Sequence, residues 1–277
     1  MNVRQGTTPD SLQPKGQDAV LVFVAFHPGP IEVERLASCL KHLSPRIVYA
    51  IVSNEHRDGE PIEALRAGAA CFITNRHNPG YGRAVNQAVA ELKKRDVLPA
   101  YIGALNTDLA WEEGCFERLL DWLFKHQDVV LAVPKLVDRE GVVQHLCKPD
   151  PTLLGLFSRR FIPERLKPTW VKQYDRWYVM AQKDYNSVLD VPYLSGCCML
   201  MKSKTFLNVG GFDERFFLYL EDADITRAFR SHGRTIHLPI TSVVHHWGRG
   251  NHKNHWLTLV NFHSAWVYFN KWGWRFK

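Results

Sequence analysis

The sequence predicts an α/β protein with one doubly wound sheet. Strand-like and helix-like patterns alternate four times before residue 108, as in repeated strand–helix–strand units with right-handed crossovers. The first strand, residues 19–26, is an unbroken apolar run closed by a Pro-Gly-Pro turn, which is typical of a buried parallel strand. A chain of 277 residues suits one large domain of this kind.

The same patterns locate the other elements. Further strands are predicted at residues 46–53, 71–74, 100–105, 129–134, 191–201, 235–238 and 242–245. Helices are predicted at residues 31–43, 61–69, 83–93 and 111–125, and another begins near residue 221. Residues 138–190 show no clear period, and we interpret them as a variable loop region near the substrate. The predicted divisions are a flexible lead-in at residues 1–17, the main domain at residues 18–250 and an amphipathic C-terminal segment at residues 251–277.

Charge and cysteine content restrict the classes of function. The net charge of +7 fits an anionic partner such as a phosphate or an acidic membrane surface. Basic residues are interspersed with acidic ones and no aromatic–basic RNA motif is present, which argues against nucleic-acid binding. The six cysteines show neither a CxxC pair nor a metal-ligand spacing, so we predict reduced core thiols and a cytoplasmic location. No apolar run reaches the ~18 residues of a membrane span, and the N-terminus has no hydrophobic signal core.

An acidic segment, residues 210–230, carries the first candidate for catalysis. A glycine turn and an aromatic run precede three carboxylates, Glu221, Asp222 and Asp224, at the start of a helix. Glu221 and Asp222 are expected to face the apolar side of that helix, where a carboxylate loses hydration and its pKa rises, as a general base requires. The alternative is helix capping, with Asp224 paired to Arg227 on the surface. From residue types alone both interpretations stay open.

Polar residues follow several predicted strands, at the edge where sheets of this class bind ligands. They include residues 27–29, residues 54–59, and the pair Asn106 and Asp108. A carboxylate directly after a buried strand is a suitable ligand for Mg²⁺ or Mn²⁺. Taken alone, this short motif is more typical of a helix-capping turn.

A glycine-rich loop follows the third predicted strand. Gly80 and Gly82 precede a helix that begins with Arg83, and the N-terminus of a helix with a nearby cation favours anion binding. The loop matches neither a P-loop nor a GxGxxG motif. An ordinary glycine loop is an equally good interpretation.

A third polar cluster lies near the C-terminus and is rich in histidine, glycine and basic residues. The imidazole of His245 suits Mn²⁺ and completes a metal site begun by Asp108. Arg249, His252 and Lys253 neutralise phosphate charge in the same interpretation. The alternative is a solvated basic loop.

Taken in order, these clusters resemble an inverting glycosyltransferase of the GT-A type, in the large family-2 group that includes bacterial rhamnosyltransferases. The resemblance covers residues 19–274, and its most specific part is the segment GGFDERFFLYLEDADITR. It implies a GT-A fold: a single Rossmann-like mixed sheet flanked by helices, with a helical C-terminal tail.

The resemblance also implies roles for individual residues. Asp108 matches the metal-binding aspartate of a DXD-like motif, with Asn106 where many relatives have aspartate, and His245 matches the late histidine that closes the metal site. Asp222 matches the catalytic base, and Glu221 its supporting neighbour. Contacts with the donor nucleotide are implied for Phe26, His27, Asn54, Asn78, Gly80, Gly82, Arg83, Asn86, Asn106, Asp108, Arg249, His252 and Lys253.

The implied reaction moves a sugar from a nucleoside diphosphate to a hydroxyl group, assisted by Mg²⁺ or Mn²⁺. The resemblance favours L-rhamnose from dTDP-L-rhamnose as donor. If the aromatic C-terminal residues 255–277 lie at a membrane surface, they suit a cell-surface glycan or lipid-linked acceptor, such as a growing lipopolysaccharide, an O-antigen or a polyprenyl-diphosphate glycan. Gly196 and Gly211 are implied to shape the acceptor side.

Two other classes of protein also fit the sequence. A nucleotidyltransferase shares the sheet and the metal, but it is expected to have a glycine-rich basic loop after the first strand, where this chain has His-Pro-Gly-Pro. A non-catalytic nucleotide-sugar-binding module does not need both a general base and a metal site.

The C-terminal residues 255–277 are rich in aromatic and basic side chains at helical spacing. This composition predicts an interfacial helix, and with it peripheral association with the inner face of the cytoplasmic membrane. Packing of the same helix on the domain core is an equally good interpretation.

Overall fold

The computed structural model describes residues 16–246 and 255–277, in which one mixed sheet is flanked by helices. The strands are β1 (Ala19–Ala25), β2 (Ile47–Asn54), β3 (Cys71–Asn75), β4 (Tyr101–Asn106), β5 (Leu109–Trp111), β6 (Val129–Val137), β7 (Leu189–Asp190), β8 (Cys198–Lys202) and β9 (Arg234–His245). The α-helices are α1 (Pro30–Leu40), α2 (Tyr81–Lys94), α3 (Cys115–Lys125), α4 (Leu153–Phe161), α5 (Thr169–Tyr178), α6 (Ser203–Val209), α7 (Glu221–Phe229) and α8 (His255–Trp272). Two 3₁₀ segments span Pro61–Gly68 and Glu164–Leu166.

The strand order is β3-β2-β1-β4-β8-β6-β9-β5, and β7 pairs with β9. The first four strands in this order are parallel, whereas β8 is antiparallel to both β4 and β6. The registers align Val24 with Asn106, Ala25 with Ser53, and Asn54 with Asn75. Because parallel strands end at one edge, the polar residues after β1, β2 and β4 meet there.

The buried residues form two clusters. The larger one surrounds the sheet, where β1 and β4 are covered on both faces, as expected for central parallel strands. The smaller one joins α7 to α8 through buried side chains that include Leu220, Ala223, Val267, Tyr268 and Phe269. One face of the C-terminal helix therefore packs against the helix that carries the acidic segment.

The predicted fold class is confirmed, and the largest errors lie after residue 137. The prediction of a loop for residues 138–190 was wrong in part, because this region contains α4 and α5. Thr152 caps α4 by accepting a hydrogen bond from Gly155 N–H. The exposed aromatic side chains Phe157 and Phe161 disguise the amphipathic period of α4. Of the strand predicted at residues 191–201 only β8 forms, and the two short strands near the end are one continuous strand, β9.

The division of the chain into a lead-in, a main domain and a C-terminal segment stays a prediction. Residues 1–15 of the expected lead-in lie outside the described residues. Within residues 16–246 and 255–277, no helix combines the length and apolarity needed to cross a bilayer.

Candidate active site

Asp108 and His245 face each other at the edge of the sheet. Asp108 lies in the turn between β4 and β5, and His245 ends β9, opposite Leu109 of β5. The backbone N–H of His246 donates to the Asp108 carbonyl at 2.9 Å. As a result, His245 Nε2 lies 3.4 Å from Asp108 Oδ2. Strand pairing thus brings together the two side chains that the sequence predicts as metal ligands.

The hydrogen bonds around Asp108 and His245 leave one polar atom of each side chain without a partner among the described residues. His245 Nδ1 lies 3.0 Å from Gln144 Oε1, and Gln144 Nε2 donates to the His245 carbonyl at 3.2 Å. Because an amide oxygen only accepts, Nδ1 carries the proton and Nε2 keeps its lone pair. Among the described residues, neither His245 Nε2 nor Asp108 Oδ1 has a hydrogen-bond partner, although both atoms are buried.

This donor set fits a divalent cation. Buried polar atoms without a partner are uncommon in folded proteins and call for an explanation. An imidazole nitrogen beside a carboxylate oxygen is a suitable pair of ligands for Mn²⁺, and the carboxylate also suits Mg²⁺. The bond from Gln144 to the far ring nitrogen is the arrangement that orients metal-binding histidines.

Asp222, in the first turn of α7, is the second candidate centre. Gly196 N–H donates to its Oδ2 at 3.0 Å, and Ala223 N–H donates to its Oδ1 at 2.9 Å. These two bonds fix the orientation of a carboxylate that is only half-buried. A Cβ atom at position 196 would lie 3.0 Å from Asp222 Cβ, so the close approach of this backbone depends on glycine.

The neighbouring Glu221 is buried and lacks a partner for Oε2 among the described residues. Burial, followed by the charge of Asp222, raises the pKa of Glu221 to about 8. The surroundings of Glu221 therefore favour its protonated form. The two residues before it, Tyr219 and Leu220, have φ angles of 70° and 63°. Non-glycine residues adopt this left-handed conformation rarely, and such strain tends to occur at functional sites.

The predicted surface pair between Asp224 and Arg227 is wrong. Asp224 is 2% exposed and accepts hydrogen bonds from Lys271 Nζ at 2.9 Å and Trp272 Nε1 at 2.7 Å. Arg227 instead donates to the Tyr268 hydroxyl and to the Trp272 carbonyl. Both residues of α7 therefore bind α8, and the C-terminal helix fixes the position of the acidic segment.

The loop before β8 connects the two candidate centres. The Cys197 carbonyl accepts from Asn106 N–H at 3.0 Å, while Gly196 binds Asp222 as described. Burial raises the pKa of the Cys197 thiol to about 12, and the charges of Asp108 and Asp222 both add to this increase. Adjacent residues of one short loop thus bind the end of β4, two residues before Asp108, and the carboxylate of Asp222.

The predicted anion-binding loop packs against the aromatic run of the acidic segment. Gly80 has a φ angle of 95°, and a Cβ atom there would lie 2.3 Å from the Phe217 carbonyl oxygen. A Cβ atom on Gly82 would lie 2.7 Å from Phe212 Cβ. The Asn86 side chain accepts from Phe212 N–H and donates to its carbonyl. Gly80, Gly82 and Asn86 therefore hold the predicted anion-binding loop against the acidic segment. Their contact with a donor nucleotide stays a prediction.

Asparagine side chains connect the ends of β2 and β3 to this loop. Asn54 is 2% exposed, donates to Asn78 Oδ1 at 3.3 Å and accepts from Asn75 Nδ2 at 2.9 Å. Asn78 Oδ1 also accepts from Gly80 N–H at 2.9 Å. The network shapes the edge of the sheet at which the sequence predicts a nucleotide.

Three more of the predicted donor residues, Phe26, His27 and Arg83, lie at the rim of this edge. The His27 ring pairs with the Glu60 carboxylate, and Phe26 is 54% exposed next to it. Arg83 forms an exposed ion pair with Glu214 at 2.8 Å. Arg249, His252 and Lys253 lie outside the described residues.

Sequence reasoning missed three residues of the site. Gln144, Lys148 and Tyr193 all lie in or directly after the region interpreted as a variable loop. Lys148 and Tyr193 form a two-way backbone bridge, and the Lys148 ammonium lies 4.1 Å from the centre of the Tyr193 ring. Gln144 and Lys148 are polar residues in an aperiodic stretch, and Tyr193 is an aromatic residue in a predicted strand, so their sequence context does not indicate a site.

The fold is the GT-A fold of solved glycosyltransferase structures. The structure of GalNAc-T7 with UDP, GalNAc and Mn²⁺ matches 84% of the chain with a TM-score of 0.58 and 13% identity, and the chain spans only 44% of its length. The mannosyltransferase PcManGT from Pyrobaculum calidifontis, in complex with GDP-Man and Mn²⁺, matches 96% of the chain and 67% of its own length with a TM-score of 0.59 and 13% identity. At this identity the likeness establishes the fold, which is the predicted one.

The chain belongs to glycosyl transferase family 2, whose sequence profile matches residues 32–207. It is also similar to N-acetylglucosaminyl-diphospho-decaprenol L-rhamnosyltransferase of Mycobacterium tuberculosis, from the strains CDC 1551 / Oshkosh and H37Rv. The identity is 28% over 266 residues, which cover 89% of this chain and 85% of the relative. Family membership makes the protein a glycosyltransferase, in preference to a nucleotidyltransferase or a non-catalytic binding module.

Proposed function

We propose that this protein transfers L-rhamnose, with inversion, from dTDP-L-rhamnose to a hydroxyl group of a lipid-linked glycan. The observation that carries the proposal is the site itself. Asp108 and His245 present unpartnered buried atoms, and one short loop binds both the end of β4 before Asp108 and the oriented carboxylate of Asp222. The similarity to a rhamnosyltransferase over most of the chain supports the choice of sugar.

Asp222 serves as the general base in this mechanism. A single displacement needs one carboxylate, which accepts the proton of the attacking hydroxyl. The hydroxyl oxygen bonds to the anomeric carbon of the sugar while the nucleoside diphosphate departs from the opposite face. The backbone bonds from Gly196 and Ala223 hold that carboxylate in place. Burial raises the pKa of Glu221 but also leaves it only 7% exposed, so the half-buried Asp222 is the carboxylate that an acceptor hydroxyl can reach.

Asp108 and His245 serve the leaving group. They would hold a divalent cation, which acts when bound as a Lewis acid toward the departing diphosphate. Gln144 keeps the His245 ring in the tautomer that a metal ligand requires. The asparagine network around Asn54 and Asn78 supports the loop against which the nucleotide would lie.

The acceptor side faces the C-terminal helix. One face of α8 packs on α7, whereas Trp256, Leu259, Phe262 and Trp266 on its other face are more than half exposed. One face of the tail thus packs on the core, and the exposed aromatic side chains on the other face support our proposal of peripheral binding to the cytoplasmic face of a membrane. The acceptor named for the mycobacterial relative, a sugar on diphospho-decaprenol, is of the lipid-linked class.

The proposal is tested with a panel of nucleotide sugars, each with Mn²⁺, with Mg²⁺ or with EDTA. We expect release of nucleoside diphosphate to be fastest with dTDP-L-rhamnose and to depend on the cation. A faster reaction with a UDP- or GDP-sugar would contradict the choice of donor. Turnover unchanged by EDTA would contradict the metal role of Asp108 and His245.

A further inference from the structure

The backbone of Gly196 lies between two side chains from distant parts of the chain. Its N–H donates to Asp222 Oδ2 at 3.0 Å, and its carbonyl accepts from the Tyr81 hydroxyl at 2.9 Å. Tyr81 is the first residue of α2 and lies between Gly80 and Gly82 in the predicted anion-binding loop. One glycine therefore connects the start of α2 with the carboxylate that we propose as the general base.

Gly196 depends on such partners because a glycine restricts its own backbone less than any other residue does. A Cβ atom here would lie only 3.0 Å from Asp222 Cβ, so a more restricted residue does not fit. The orientation of the Gly196 peptide groups is therefore set by what they bind. The next carbonyl along the chain, that of Cys197, is held by Asn106 N–H at 3.0 Å, and the Gly196 carbonyl is held by the Tyr81 hydroxyl.

Tyr81 is itself fixed by contacts with the acidic segment, residues 210–230. Its backbone N–H donates to the Phe217 carbonyl at 3.2 Å, and its ring packs edge-on against the Phe212 ring, with 6.2 Å between the ring centres. Burial raises the pKa of the Tyr81 hydroxyl well above its ordinary value of 10.0, so the hydroxyl keeps the proton that it donates. The ring and the backbone of Tyr81 thus hold a permanent donor against Gly196.

We propose that Tyr81 is a positioning residue for the general base: its hydroxyl orients Gly196, and Gly196 in turn orients the Asp222 carboxylate. This inference rests on the proposed function for the role of Asp222. Two hydrogen bonds in series, from Tyr81 to Gly196 and from Gly196 to Asp222, carry the effect. The same residue therefore joins the loop that is predicted to bind the donor to the carboxylate that serves the acceptor.

The first measurement is hydrogen exchange of the Gly196 amide, observed by NMR in the full chain labelled with nitrogen-15 glycine, without donor and in EDTA. Tyr81→Phe keeps the aromatic ring and removes only the hydroxyl. Tyr49→Phe is the matched control, because the Tyr49 hydroxyl also donates to a backbone carbonyl, that of Leu65, at 3.0 Å. We expect the Gly196 amide to exchange about 5- to 50-fold faster in Tyr81→Phe, since a buried hydrogen bond left unmade has a cost of that order. In Tyr49→Phe its exchange should stay as in wild type.

The second measurement is sugar transfer to a lipid-linked acceptor by the same variants. Tyr81→Phe should lower kcat about 10- to 100-fold, because a small displacement of a reacting group from its productive position costs up to about 10²-fold. The KM for the nucleotide sugar and the affinity for nucleoside diphosphate with Mn²⁺ should stay nearly unchanged, since the loop backbone and the Tyr81 ring remain. Tyr49→Phe should transfer sugar at the wild-type rate.

Several outcomes would overturn the positioning role. Exchange of the Gly196 amide that is unchanged in Tyr81→Phe, or equally accelerated in Tyr49→Phe, would show that the Tyr81 hydroxyl does not hold this glycine. An unchanged kcat, or a loss confined to the KM for the donor, would show that Tyr81 does not act through the base. If no nucleotide sugar were turned over, the proposed function would fail, while the exchange measurement would still decide whether Tyr81 orients Gly196.

Discussion

The two carboxylates of the site, Asp108 and Asp222, are held in opposite ways. Asp108 follows a buried strand and has one buried oxygen without a partner, next to an open imidazole nitrogen. Both oxygens of Asp222, by contrast, accept backbone hydrogen bonds, and the carboxylate is half-buried on a helix held by α8. The difference fits the two tasks that we propose: cation binding at the strand-edge region, and a fixed carboxylate on α7 that serves the acceptor.

The largest expected effect comes from removing the base. Asp222→Asn should lower sugar transfer about 10²- to 10⁴-fold, because a positioned general base contributes that much to the rate. Product formation with a lipid-linked acceptor is the measurement. Asp96→Asn, at an exposed position with a φ angle of 56° that asparagine tolerates, is the matched control. Near wild-type transfer by Asp222→Asn would show that another group accepts the proton.

A smaller effect is expected from the residue that orients His245. Gln144→Ala removes the acceptor for Nδ1–H, and loss of such a partner typically costs about 10- to 100-fold in metal affinity. Titration with Mn²⁺ in the presence of nucleoside diphosphate measures it. Gln173→Ala, at an exposed position of α5, controls for the loss of a glutamine. Unchanged affinity for Mn²⁺ would contradict the role of Gln144.

The attachment of α7 to α8 is tested by stability. Lys271→Met leaves the buried Asp224 carboxylate with one donor fewer and should lower the free energy of unfolding by about 1–3 kcal/mol. Urea denaturation measures it, with the exposed Lys172→Met as control. If the double variant Lys271→Met, Asp224→Asn were no more stable than Lys271→Met, the loss would not arise from the uncompensated carboxylate.

The effect of pH on stability tests the protonated state of Glu221. Its pKa is about 8 in the folded protein against an ordinary value of 4.5, so between these values the folded state retains a proton that the unfolded state releases. The stabilisation that this group contributes is therefore fully present below pH 4.5 and is lost as the pH rises through about 8. Over that range the free energy of unfolding falls by up to about 1.4 kcal/mol per pH unit. Glu221→Gln should lose this slope. Parallel pH profiles of the variant and wild type would contradict the buried, protonated carboxyl.

The strand-edge region was predictable from the sequence, because its elements follow from short-range patterns. Apolar runs located β1, β2 and β4, and the residues after them, such as Asn54 and Asp108, lie at the predicted edge. His245 required the resemblance as well as the residue type, since only the pairing of β9 with β5 brings it to Asp108.

The acceptor side was much less predictable, because its contacts join distant parts of the chain. The partner of Asp224 is Lys271 and not the nearby Arg227, a choice made by the packing of α8 that no helical spacing reveals. Lys148 likewise meets Tyr193 through an isolated bridge in a region without periodicity. The strained turn at Leu220 has no sequence signal either, since it lacks the glycine that usually marks a positive φ angle.

The most direct test of the central claim compares Asp108→Asn with Asp222→Asn in one experiment. Binding of nucleoside diphosphate is measured by titration calorimetry in the presence and in the absence of Mn²⁺. If the two carboxylates have separate tasks, Asp222→Asn will bind as wild type does, and Asp108→Asn will lose the part of the affinity that depends on Mn²⁺. Equal losses in both variants, or no loss in Asp108→Asn, would contradict the separation of the metal site from the base.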